Sequence, residues 1–86
     1  MINSSYSKSA KVPSKLSQFS IGEKGCISEI QSKELEICLL KLGVCKGDTC
    51  LLSNKAPLGD PLAIVVNGTK ISIRREDAAR IRMQAI

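Results

Sequence analysis

The 86-residue sequence contains no histidine and no tryptophan, and its only aromatic residues are Tyr6 and Phe19. Without histidine the chain lacks the commonest general base and the commonest metal ligand. It has no G-x-x-x-x-G-K-[ST] phosphate loop and no nucleophile–base pair that spacing supports, so no enzymatic activity is expected. No apolar run approaches the roughly 20 residues that cross a bilayer. The first fourteen residues lack the apolar stretch of a signal peptide, so the expected compartment is the cytoplasm. Four cysteines are present, Cys26, Cys38, Cys45 and Cys50, but no C-x-x-C pair. The usual structural zinc spacing is therefore missing, and nothing argues for the secreted context in which four cysteines form two disulfides.

What is present fits one small globular domain: 43% hydrophobic and 24% charged residues, with a net charge of +5. The positive excess is uneven. Residues 1–14 hold Lys8 and Lys11 and no acid, residues 15–69 balance, and residues 70–86 set Lys70, Arg74, Arg75, Arg80 and Arg82 against Glu76 and Asp77. A nucleic-acid surface would interleave such bases with aromatics for stacking. The scarcity of aromatics argues against that role and leaves solubility and partner steering for the charge. Residues 1–14, with five serines and two lysines, read as a flexible tail, and residues 15–86 as the folded domain.

The strongest local signal is Asn67-Gly68 between the apolar runs Leu62–Val66 and Thr69–Arg74. Both central positions of a type I′ turn need positive φ, so this pair predicts a tight hairpin. Leu62, Ile64 and Val66 then share one face, as do Ile71 and Ile73. Upstream, Leu16, Phe19 and Ile21 are expected to pin the start of the domain onto the core. Cys26–Ile30 reads as a strand in which Ile27 and Ile30 share a face only if a bulge intervenes. A helix is predicted over residues 32–42, with Ser32 as N-cap, Gly43 just past its end, and Leu35, Cys38, Leu39 and Leu42 on one face. Ile37, Leu40 and Val44 form a second apolar edge. Both edges are expected in the core, the alternative being that Leu40 or Ile37 stays partly exposed for a partner. A strand over residues 49–54 follows, burying Cys50 and Leu52. Pro57 and Pro61 then stiffen a loop from which Leu58 can project. After Arg74 a helical turn over residues 75–79 leads into a last strand with Ile81 and Met83 inward. The sum is a mainly β domain: a small closed or nearly closed barrel of about five strands, with one inserted helix and a short helical turn before the last strand.

Three segments resemble the ferrous iron transport protein A (FeoA) family. Leu39–Asp48 is similar to its L-x-x-L-G-hydrophobic-x-x-G element, Ala56–Leu62 to its A-P-L-G-D-P loop, and Ile71–Ala78 to its hydrophobic-x-hydrophobic-R-x-x-E/D-A close. Lys46 stands where the family often has proline and Thr69 where tyrosine is common. The resemblance implies an SH3-like barrel and a cytoplasmic accessory protein of bacterial ferrous iron uptake, acting on a membrane permease that carries a cytoplasmic G domain.

Three function classes follow. The first is a non-enzymatic regulatory module that docks on the permease, with Leu58 as apolar anchor, Leu40 extending the patch, and Arg74 and Arg75 pairing with acidic partner groups. Exposed apolar edges would also allow self-association, and the sequence leaves the oligomeric state open. The second is a transition-metal module, binding Fe²⁺ or a similar ion weakly through Cys38, Cys45 and Cys50. Against it, Cys38 and Cys50 fall on faces expected in the core, where free cysteine behaves as a small hydrophobe. The third is a nucleic-acid-binding barrel, which the scarcity of aromatics disfavours.

Overall fold

Asn67 and Gly68 adopt φ of 52° and 79° in a computed structural model that describes residues 12–86. Most of the expected N-terminal tail, residues 1–11, lies outside the described residues. The two-residue turn joins β3 (Leu62–Val66) to β4 (Thr69–Ile73) in the register Val66↔Thr69, Ile64↔Ile71, Leu62↔Ile73. That register turns all five apolar side chains the same way, and all five are buried.

A 3-10 turn (Leu16–Gln18), β1 (Lys24–Ile30), helix α1 (Lys33–Lys41) and β2 (Thr49–Lys55) precede the hairpin; helix α2 (Arg75–Ala78) and β5 (Ile81–Gln84) follow it. The strands form one antiparallel sheet in the order β4-β3-β2-β1-β5. Cys50 and Leu52 of β2, Ile27 and Ile30 of β1, and Ile81 and Met83 of β5 complete the inner face, covered by Leu16, Phe19, Leu39, Val44 and Ala78. Each fully buried Leu, Ile, Val or Phe side chain contributes about 1.5–3 kcal/mol. In β1 the register shifts between Ile27 and Glu29. This bulge is what lets Ile27 and Ile30 face inward together. The chain also stitches its own start to β5: the Met83 amide donates to the Ser14 carbonyl at 2.8 Å, and Lys15 bridges Arg82.

Helix α1 begins and ends where its signals stand. The Ser32 hydroxyl accepts the Leu35 amide at 3.3 Å, and Gly43 takes φ 88° beyond the last turn. Its burial differs from expectation. Of the predicted face only Leu39 is buried; Leu35 is half-buried, and Cys38 and Leu42 are exposed. On the second edge Val44 is buried, while Ile37 and Leu40 remain 47% and 60% exposed. The helix packs mainly on β1. One nine-residue helix against one strand of a small sheet can cover only part of its circumference, so the remaining apolar residues meet water. Ile21 is likewise exposed rather than pinned to the core. It lies inside the turn in which the Glu23 amide donates to the Ser20 carbonyl at 3.0 Å, where the chain swings into β1. Among the described residues no helix is long and apolar enough to cross a membrane.

Candidate functional site

The loop between β2 and β3 is held at three points. The Gly59 amide donates to the Ala56 carbonyl at 2.7 Å, and the Ala56 amide donates to the Pro61 carbonyl at 3.0 Å. Asp60 Oδ1 accepts the Arg75 amide at 3.0 Å, which supplies an otherwise orphan donor at the start of α2 with a partner. The Asp60–Pro61 peptide bond is cis. From this frame Leu58 projects with 90% of its surface exposed, the most exposed of the large apolar side chains among the described residues.

Arg74 and Arg75 are exposed beside the same loop. The Arg75 guanidinium lies over Gly59, its Nη1 3.8 Å from where a Cβ would stand. Arg74, Asp60, Pro61, Ser72 and Glu76 line a recess of about 500 Å³. Ser17, Asp60, Arg75, Glu76 and Ala79 line a neighbouring one of about 440 Å³. Leu58, Arg74 and Arg75 therefore gather at one end of the β2–β3 ladder, joined there by Asp60 and Glu76. Sequence reasoning missed these two acids. Asp60 stands inside the A-P-L-G-D-P run, but its bond to Arg75, fifteen residues on, carries no local signature.

Leu40 does not belong to this group. The Gly43 amide donates to the Leu40 carbonyl at 3.0 Å, and the Gly43 carbonyl accepts the Asn67 side-chain amide at 3.2 Å. Leu40 thus sits by the turn end of the hairpin, whereas Leu58 precedes its other end at Leu62, about 13 Å away along β3 at the usual rise per residue. A continuous Leu58–Leu40 patch is not what the fold builds. Leu40 instead helps line a separate apolar groove of about 280 Å³ with Ile37, Val44, Cys45, Lys33 and Glu36.

The three cysteines considered as metal ligands are not brought together. Cys50 is fully buried in the core, and burial pushes its thiol up to about 12. Cys38 and Cys45 are exposed, which corrects the core position expected for Cys38. The Cys45 amide donates to Asp48 Oδ2 at 2.9 Å and its thiol lies 3.7 Å from the same oxygen. The Asp48 charge, with lesser help from burial and that hydrogen bond, holds the thiol above its ordinary pKa. Raised thiol pKa values oppose the thiolate form that binds metals. Among the described residues no group of three or more Cys, Asp or Glu is placed to hold a metal ion.

Residues 14–85 match the profile of the FeoA domain. Solved structures agree. The FeoA protein of Chlorobium tepidum superposes with TM-score 0.79 at 27% identity, covering 84% of this chain and 70% of that one. Iron(II) transport protein A of Clostridium thermocellum gives 0.77 at 29%, covering 84% and 45%. The zinc complex of Stenotrophomonas maltophilia FeoA gives 0.71 at 23%, covering 84% and 91%. That last protein is described as an SH3 domain and proposed as a bacterial ferrous iron transport activating factor. The shared architecture is the SH3-like barrel. No curated protein sequence matches this chain.

Proposed function

Because this chain belongs to the FeoA domain family, we propose that it is a non-enzymatic accessory protein of bacterial ferrous iron uptake that docks on the cytoplasmic part of the ferrous iron permease. The observation that carries the reading is Leu58, 90% exposed on a loop fixed by three hydrogen bonds. An apolar side chain presented on a rigid frame loses little ordering entropy on binding, which is what a docking anchor requires. Arg74 and Arg75 beside it add charge that steers and orients an acidic partner surface. The protein acts in the cytoplasm, where the permease exposes its G domain, and any effect on nucleotide hydrolysis passes through that domain.

Of the cysteines named for the metal-binding alternative, Cys50 is buried while Cys38 and Cys45 are exposed, and among the described residues no three Cys, Asp or Glu side chains are grouped to hold an ion. The test is co-purification with the permease, together with its nucleotide hydrolysis measured with and without this protein. Capture by the wild type and its loss in Leu58→Asp support the reading. Failure of the wild type to bind overturns it.

A further inference from the structure

Building on the docking reading, we propose that the outer edge of β4 is a strand-pairing site that takes an acidic, extended segment of a protein partner as a sixth strand of the sheet. β4 ends the sheet. In a two-residue hairpin the flanking pair, here Val66↔Thr69, exchanges backbone hydrogen bonds. Antiparallel alternation then gives the next bonded pairs as Ile64↔Ile71 and Leu62↔Ile73. Lys70 and Ser72 face Val65 and Ala63 in the non-bonded pairs, so their N–H and C=O groups point to the open edge. Among the described residues no backbone–backbone hydrogen bond outside the sheet ladders reaches them. The opposite edge differs: β5 is already occupied in part, through Met83 to Ser14 and Lys15 to Arg82.

The side chains select the occupant. Lys70 and Ser72 are exposed, Arg74 follows on the same face, and β4 contains no acid. A lysine on an edge strand opposes pairing with a second copy, because two β4 strands paired antiparallel about Ile71 would set both Lys70 ammonium groups on one face. A strand with carboxylates on its outer face turns that repulsion into cross-strand attraction. Ile71 and Ile73 keep 8% and 6% exposure, so alternating apolar residues of the incoming strand extend the core face. The expected partner pattern is acidic–apolar alternation, with main-chain bonds supplying affinity and side chains supplying choice.

The test titrates the isotope-labelled full-length protein with an acetylated Glu-Val repeat hexapeptide and, separately, its Lys-Val counterpart. The acidic peptide should shift the Lys70 and Ser72 amide resonances and slow their hydrogen exchange, while the basic one should do neither. Ser72→Pro removes only an outward N–H, leaves the β3–β4 ladder intact, and should abolish the effect. Lys70→Glu, a surface change that does not threaten folding, should weaken binding about fivefold. Equal binding of both peptides, shifts centred on α1 or Leu58, self-association through β4, or unchanged binding in both variants would each overturn the proposal. The outcomes separate from the docking reading. Permease capture that persists while the peptides fail sinks the edge site alone, and acidic-peptide binding without permease capture sinks the permease assignment alone.

Discussion

Asn67 donates its side-chain amide to the carbonyl of Gly43 across 3.2 Å, linking the hairpin turn to the residue that ends α1. The same amide reaches Asp48 Oδ2 at 3.3 Å. One residue therefore shapes a turn through its backbone and anchors a helix through its side chain. Asn67→Gly keeps the positive φ and removes only the anchor. The expected loss is about 1 kcal/mol, seen as a melting temperature lower by about 4–8 °C. Faster amide exchange in the last turn of α1 should accompany it.

Leu58 and Leu62 lie four residues apart and should behave oppositely. Leu58→Ala should change stability by no more than about 0.5 kcal/mol, since the side chain is 90% exposed, yet lower permease affinity about tenfold if it is the anchor. Leu62→Ala should cost about 2–5 kcal/mol. Denaturant titration alongside a binding assay separates the two.

Burial raises the Cys50 thiol from its ordinary value of 9.0 to about 12. Below pH 9 folded and unfolded forms both hold the proton. Above it the unfolded form gives up the proton while the folded form keeps it, so stability should fall between pH 9 and about 12. Melting curves over that range should show the decline, and Cys50→Val should remove this component of it. At pH 8 a thiol reagent should modify Cys38 and Cys45 in the native protein and reach Cys50 only in denaturant.

Asp48 holds the Cys45 thiol above its usual pKa by charge first. Asp48→Asn keeps an acceptor for the Cys45 amide but deletes the charge. The thiol pKa should fall, and alkylation at pH 8 should speed up for Cys45 alone, as peptide mapping of the labelled protein would reveal.

A Cβ added at Gly25 would stand 2.9 Å from Phe19 Cζ and 3.1 Å from the Gln84 carbonyl oxygen. The buried ring and the backbone of β5 would both have to move. Gly25→Ala should destabilise by about 1–3 kcal/mol, measurable by denaturant unfolding.

These contacts mark the boundary of what the residues disclose unaided. The hairpin was legible because Asn-Gly demands a backbone that few other pairs adopt, and the bounds of α1 were legible because Ser32 and Gly43 act within four residues. The A-P-L-G-D-P loop with its exposed leucine could be anticipated from two prolines. The burial of α1 could not. Apolar spacing says which residues share a face, but how many of them find a neighbour depends on the area the sheet offers. Asp60 on Arg75 and Asn67 on Gly43 join residues fifteen and twenty-four apart, and strand order decides both. The same dependence hid the separation of Leu40 from Leu58, which periodicity treats as two apolar residues and the ladder assigns to different ends.

The stitch between Ser14 and Met83 makes this fold a cassette. Its incoming and outgoing chains run side by side at one edge of the sheet, so the described domain closes at the same place where it opens.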